Sequence, residues 1–293
     1  MTALRPMIRC REIGEADLEA IADLLRRGFV GRSQHYWVQG LRRQAARAVP
    51  PGYPRFGYVL DHEGAPVGVL LLIYTSRGAG ADADIRCNLS SWYVEPAFRN
   101  YASMLTKIAQ RHKDVTYINI SAATRTWPII EAQRFQPYCR GLFVSVPALS
   151  RVTPGTRIDI VTAATTAIDG LSAVEVDLLA SHAGLGCLSL VCRTAEGVLP
   201  FILLPMRIRR GWIAMPAMQL IYCRDIADYV ACAGAIGRHL LARGKLAVIC
   251  DANGRIPGLP GVYTEARGRK YFKGPRPPRL GDLTDTELVI YGP

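Results

Sequence analysis

IRCNLSSWYVEPAFRNYASMLTKIAQRHKDVTYINISAATRTWPIIEAQRF, running from Ile85 to Phe135, is the stretch from which the rest of the 293-residue chain is read. Ile85 to Val94 is β-branched, aromatic and apolar enough for a buried strand, and Glu95-Pro96 ends it, because proline has no N–H to give to a ladder. From Tyr101 to His112 the apolar residues Ala102, Leu105, Ile108 and Ala109 recur at helical spacing, and Val115 to Ile120 alternates as a second strand. Strand, tight turn, helix and strand make a crossover between parallel strands, which is nearly always right-handed. The turn leaves backbone N–H groups free at the helix start, where an anion binds well.

The order Val94-Glu95-Pro96-Ala97-Phe98-Arg99, a small-residue turn, a helix, a strand, and a helix ending in Glu131-Ala132-Gln133-Arg134-Phe135 resembles the core of the GNAT superfamily of acyl-CoA-dependent N-acyltransferases. The resemblance spans residues 7 to 140. In that family the turn reads Arg or Gln, two residues, Gly, one residue, then Gly or Ala, and its amides hold the coenzyme A pyrophosphate. Here Arg99 takes the first place, Ala102 that of the first glycine, and Met104, a bulky departure, that of the second small residue. The resemblance implies acetyl-CoA or another acyl-CoA as co-substrate. It would be held by Trp92, Tyr93 and Val94 at the strand end and by Arg99, Asn100, Tyr101, Ala102, Ser103 and Met104 in the turn. The family's usual tyrosine acid falls at Ile130 and its frequent asparagine at Ala123, and an aliphatic residue cannot protonate a leaving thiolate. No catalytic group is therefore identified; the remaining candidates are Glu95, at the mouth of the strand-to-turn crevice, and Tyr138.

Upstream, Ile8 to Ile13 is a short strand. Glu15-Ala16-Asp17 opens a helix whose Leu18, Ile21, Ala22, Leu24 and Leu25 share one side, with Arg26-Arg27 late as the macrodipole prefers. His35, Tyr36 and Trp37 precede a basic helix in the region that covers the acceptor site in the family. They read either as an aromatic corner under a loop or as acceptor contacts. Phe56 to Leu60 and Pro66 to Thr75 form a hairpin over Asp61-His62-Glu63-Gly64, followed by a glycine-alanine loop from Ser76 to Ala83.

Pro147 to Thr156 has the composition of a linker, so one unit is expected over 1–148 and a second over 157–293. The second repeats the order of the first: a helix over Ala167 to Ala183, strands at Leu188 to Cys192 and Leu199 to Met206, a strand from Gly211 to Tyr222, a helix from Tyr229 to Ala242, and a strand from Leu246 to Asp251. The expected fold class is α/β, mixed sheets with flanking helices, in tandem acyl-CoA N-acyltransferase-like domains. The second turn lacks glycine and carries Asp225 and Asp228, which repel phosphate. The tail interleaves Arg267, Arg269, Lys270, Lys273, Arg276 and Arg279 with Tyr271 and Phe272. With no C2H2 or RNP motif beside it, it reads as a solvated arm crossing the partner domain, ended by a strand-like Glu287 to Tyr291, rather than as a nucleic-acid site.

A hydrophobic share of 49% suffices for ample cores, and 36 Lys plus Arg against 24 Asp plus Glu, a formal charge of +12, favours an anionic partner. The eight cysteines never form C-x-x-C, so neither zinc nor a redox pair is indicated and no metal is expected. Without a leader pattern or an apolar run of roughly 18 residues, a cytoplasmic protein with no transmembrane segment is expected. Phosphate-loop, nucleophile-elbow and zincin motifs are missing. Two functions of different class follow. One is transfer of an acetyl or longer acyl group from coenzyme A to an amine or hydroxyl; the other is non-catalytic binding of a protein, lipid headgroup or nucleic acid through the basic surface of a GNAT fold.

Overall fold

The computed structural model describes residues 8–78, 84–210 and 213–292; the far part of the Ser76 to Ala83 loop and the first two residues of the Gly211 to Tyr222 strand lie outside the described residues. β1 (Ile8–Glu12) leads through α1 (Leu18–Gly28) and α2 (Gln34–Ala45) into an antiparallel run of β2 (Gly57–His62), β3 (Ala65–Arg77) and β4 (Asp84–Val94). A 3-10 turn at Pro96–Tyr101 and α3 (Ala102–Ala109) carry the chain to β5 (Thr116–Asn119), parallel to β4. Next come α4 (Trp127–Ala132), β6 (Gln136–Cys139) and β7 (Gly141–Ser145). The second half begins with β8 (Arg157–Val161), α5 (Ala173–Gly184), β9 (Leu188–Thr194), β10 (Gly197–Arg210) and β11 (Ile213–Cys223). It continues with α6 (Ile226–Leu241), β12 (Ala247–Ala252), β13 (Gly261–Thr264), β14 (Lys270–Lys273) and the short α7 (Glu287–Ile290).

Two seven-stranded mixed sheets result. The first runs β1-β2-β3-β4-β5-β14-β6 and the second, read from its far edge, β8-β9-β10-β11-β12-β7-β13. Place by place the sheets correspond, including the single parallel pair, β4 with β5 and β11 with β12. The sixth place in each is filled from the other half of the chain: β7 pairs with β12 and β13, and β14 with β5 and β6.

Both sheets are buried on two faces, which is why their central strands are continuous apolar runs rather than alternating ones. Val69, Leu71 and Ile73 of β3 pack under Ile21, Leu24, Leu25, Trp37 and Leu41 of α1 and α2, while Leu70, Leu72 and Tyr74 face Leu105 and Ala109 of α3. In the second sheet Phe201 and Leu203 meet α6. Ile202 and Leu204 join Leu179 of α5 together with Ile118 and Ile120 of the first sheet, so the halves share one core. No helix among the described residues is long and apolar enough to cross a membrane.

Several elements differ from the sequence reading. α5 starts at Ala173 because Ser172 is its N-cap, accepting from Glu175 N at 3.3 Å while the Glu175 carboxylate accepts from Ser172 N at 3.1 Å; Gly170, at φ +89°, holds the turn before it. Residues Glu287 to Ile290 are helical, not extended. β6, β8 and β13 have no counterpart in the reading, and the tail read as a solvated arm instead contributes β14 to the interior of the first sheet, with Lys270 and Tyr271 buried.

Candidate acyl-transfer site

β4 and β5 pair only at Arg86 with Thr116, Cys87 with Tyr117 and Asn88 with Ile118; beyond Asn88 they part. A bulge in β4 lies just past the fork. Ser91 and Trp92 stand opposite Leu70 alone, and Ser91 sits at φ +49°. That region costs a non-glycine residue on the order of 1–3 kcal/mol and is tolerated where the surrounding structure enforces it. The buried amide of Asn88 closes the fork, its Nδ2 donating to Leu89 O at 3.1 Å and to Ile118 O at 3.4 Å. Between the parted strands opens a cavity of about 330 Å³, bounded by α1 and α2 on one side and by α3 and α4 on the other.

The carboxyl in this cavity comes from the far end of the chain. Glu287, first residue of α7, accepts from Ser90 Oγ on β4 and from Ser121 Oγ, just past β5, at 2.5 Å, while its own N–H donates to Asn88 Oδ1 at 2.8 Å. Both walls of the fork therefore hold it. The arm that delivers it is tied down by Arg77 and Arg86 to Asp282, at 3.2 and 3.4 Å, and by Arg47 to Asp285 at 2.8 Å. His182, fully buried at the end of α5, accepts the Asp285 N–H at its Nε2, at 3.3 Å. Burial raises the Glu287 carboxyl above its usual range, against the two serine hydroxyls, which lower it. The group is deep in the molecule yet open to the cavity, the environment in which a carboxyl is a stronger base than in water.

Trp92, Tyr36 and Trp37 line the cavity, as do Ile130 and Ala123. The indole N–H groups of Trp37 and Trp92 are buried without a hydrogen-bond partner among the described residues. Tyr93 packs on Phe29 with ring centroids 6.4 Å apart, and Val94 is buried in the core. Arg99, Asn100, Tyr101, Ser103 and Met104 are exposed around the start of α3, with Ala102 half-buried. The 3-10 turn runs directly into that helix, so Ala102 N donates to Arg99 O rather than standing free as the sequence reading expects; no side chain caps the helix and no acid occupies its first turn. Ser103 and Met104 also line an open groove with Thr106, Lys107, Gln110, Gln133 and Lys273; Thr106, Gln110 and Gln133 border the cavity too, so the two are continuous. The bulk of Met104 thus stands beside the turn, 37% exposed, rather than inside it.

Three candidates lie elsewhere. His35 is exposed and outside the cavity lining. Glu95 is paired with Arg27 at 2.9 Å beyond the cavity. Tyr138 is half-buried beside Phe272 of β14, its hydroxyl buried without a partner among the described residues and its acidity suppressed by burial. Sequence reasoning missed Glu287, although a signal existed: Thr286 before a short apolar run and Gly292 after it, at φ +86°, are helix start and stop residues.

The second sheet repeats the fork without the cavity lining. β11 and β12 pair from Ala217 with Ala247 to Gln219 with Ile249, which puts the buried amide of Gln219 where the first sheet has Asn88. Past it, Cys223 N donates to Gly281 O at 3.0 Å and Leu283 N to Ile221 O at 2.8 Å, so the C-terminal arm covers the bulged strand end. The start of α6 is likewise occupied, with Asp225 Oδ1 accepting from Ala227 N at 2.7 Å and Asp228 Oδ2 from Asp225 N at 3.2 Å.

No family model matches the sequence, and no curated protein matches it. Solved structures do. A GCN5-related N-acetyltransferase from Kribbella flavida is similar with a TM-score of 0.57 at 12% identity, over 93% of this chain and 72% of that one. One from Anabaena variabilis ATCC 29413 gives 0.54 at 10% identity over 91% and 72%, and Eis1 from Mycobacterium abscessus 0.51 at 12% over 94% and 74%. Because the similarity covers more than nine-tenths of the chain, it includes both sheets. The chain has the fold of GCN5-related N-acetyltransferases, in two tandem units.

Proposed function

We propose that this chain, built on the GCN5-related N-acetyltransferase fold, is an acyltransferase that moves an acyl group from a coenzyme A thioester to an amine, with Glu287 accepting the proton. The observation that carries the reading is the placement of Glu287: a half-buried carboxyl fixed by Ser90 and Ser121 at the mouth of the fork between β4 and β5 and raised by desolvation. Acyl-CoA would lie with its phosphates at the exposed start of α3, near Arg99, and along the groove bearing Lys107 and Lys273, and with its thioester in the fork.

The chemistry follows from these positions. An alkylammonium entering the cavity gives one proton to the Glu287 carboxylate, and the freed lone pair forms the C–N bond at the thioester carbonyl. As the C–S bond breaks, the thiolate leaves with its electron pair and takes the second nitrogen proton. A thiol of pKa about 8.5 is a good leaving group without an acid, so Ile130 in the place of the family's tyrosine is compatible with turnover. Holding donor and amine in one small cavity supplies much of the remaining acceleration.

The test follows free thiol release from acetyl-CoA and longer acyl-CoAs. Glu287→Gln keeps the shape and the serine contacts but cannot take a proton. It is expected to lower kcat by roughly 10²- to 10⁴-fold and to erase the acidic limb of the pH profile, with no loss of Tm. Unchanged turnover in the variant would remove Glu287 from the reaction. Arg99→Glu should weaken acyl-CoA binding by calorimetry, whereas Arg224→Glu should not, since Arg224 is engaged with Glu175 at 2.6 Å.

A further inference from the structure

We infer that the acceptor is a small primary amine with a single positive charge and an apolar tail. The inference rests on the acyltransferase reading and concerns the half of the cavity that coenzyme A does not reach. On that side of Glu287 the wall is made by Phe29 at the end of α1, Tyr36 and Trp37 of α2, Leu288 of α7 and Tyr291 just after it. These side chains pack on one another: the ring centroids of Phe29 and Trp37 are 5.4 Å apart, those of Tyr36 and Trp37 5.0 Å, and those of Trp37 and Tyr291 5.9 Å. Trp37 and Tyr291 are each only 4% exposed, so the wall is rigid and built into the core.

Charge narrows the choice further. Glu287 is the sole carboxylate among the described residues of the lining, while Arg32 and Arg125 stand at its exposed edge. One ammonium can reach Glu287; a second on the same molecule would lie against aromatic carbon or beside an arginine, without an anion to meet it. Polyamines and aminosugars with several ammonium groups are therefore disfavoured, and on this wall a hydroxyl-rich acceptor would meet rings, the Tyr36 hydroxyl already donating to Gly292 O at 2.9 Å, and one indole N–H unpaired among the described residues, that of Trp37. Size points the same way. A cavity of about 330 Å³ must also admit the acyl end of the donor. It is at the lower bound of ligand pockets, which span roughly 300–1,000 Å³, so the amine is small.

The experiment measures acyl-CoA-dependent thiol release by the full chain with propylamine, butylamine, pentylamine, hexylamine, phenethylamine, spermidine and glucosamine. Acetyl-CoA and hexanoyl-CoA binding are followed in parallel by calorimetry. Along the alkylamine series kcat/KM should rise about fourfold per methylene until the wall is filled. Phenethylamine should exceed spermidine and glucosamine by at least about tenfold, the discrimination expected of burying an apolar tail. A flat alkylamine series, a preference for spermidine or glucosamine, or a methylene increment seen only when the acyl donor is lengthened would overturn the inference while leaving acyl transfer standing. If neither acyl-CoA binds and no acceptor releases thiol, the acyltransferase reading itself falls and the acceptor with it.

Discussion

Glu287 keeps its proton to higher pH than a free carboxyl because burial outweighs the hydrogen bonds from Ser121 and Ser90. Unfolded, it titrates near 4.5, so above that value and up to its folded pKa the native state holds more protons, and this contribution to stability falls as pH rises. His182 has the opposite sign. Burial lowers it from 6.5, against Asp285, which raises it, and with Arg77 and Arg47, which lower it. Just below pH 6.5 the unfolded chain therefore binds more protons, and stability is lost as pH falls through the folded value. Protonation would also turn the Nε2 that accepts from Asp285 N into a donor, loosening the arm that carries Glu287. The melting temperature of the wild type should consequently fall more steeply below pH 6.5 than that of His182→Gln; parallel slopes would show that His182 does not hold the arm. Lys270 and Asp251 pose a different residue-scale problem. Their ion pair is 2.7 Å long with side chains 5% and 2% exposed, and burial already raises Asp251 against the pull of Lys270. Lys270→Met strands that carboxyl and should cost about 3–5 kcal/mol in urea unfolding, much of which Lys270→Met combined with Asp251→Leu should restore.

At the scale of elements, α6 shows how packing can reverse a local preference. Gly234 and Gly237 lie where a Cβ would overlap the backbone of Ser150 and Arg151 and of Pro147 and Ala148. In an open helix Gly→Ala gains about 1 kcal/mol. Here the neighbour is backbone and cannot step aside, so Gly237→Ala should lower stability by about 1–3 kcal/mol, and a raised Tm would refute the close approach. The same contrast between local and distant determinants explains what was readable in the sequence. β2 to β5, α1 and α3 were legible because their apolar spacing is a property of each segment alone, whereas Tyr36, Trp37 and Trp92, which line the cavity, were singled out only through the family resemblance. α7 was misread because Leu288-Val289-Ile290-Tyr291 resembles a strand, and only its flanking Thr286 and Gly292 argue for a helix turn. Glu287 could not be assigned to the fork, since its partner Ser90 is 197 positions away and nothing in either segment announces the other.

For the whole molecule, the decisive feature is the reciprocal exchange of the sixth strand. β6 runs through Arg140 directly into β7 of the other sheet, and β13 returns through 265–269 to β14. Asn253 clamps the first crossing, its Oδ1 accepting from Arg140 N at 2.7 Å and its Nδ2 donating to Tyr138 O at 3.1 Å, while the pair of Lys270 with Asp251 spans the second. Taking 1–148 and 157–293 as the two units, as we propose, the first alone would have a gap between β5 and β6 and would expose β7 on both edges; the second would miss β7 between β12 and β13. Each would also uncover the shared core of Ile118, Ile120, Ile202, Ile221 and Leu283. Unpaired edges and bare apolar surface favour aggregation over folding. The intact chain should therefore unfold in urea in one transition, with far-UV circular dichroism and tryptophan fluorescence coincident. The segments 1–148 and 157–293 should each lack native near-UV signal when expressed alone and regain it together with the bound-strand partners restored. Independent, cooperative folding of 1–148 with acyl-CoA affinity equal to that of the full chain would show that neither the exchanged strand nor the arm bearing Glu287 is needed to build the site.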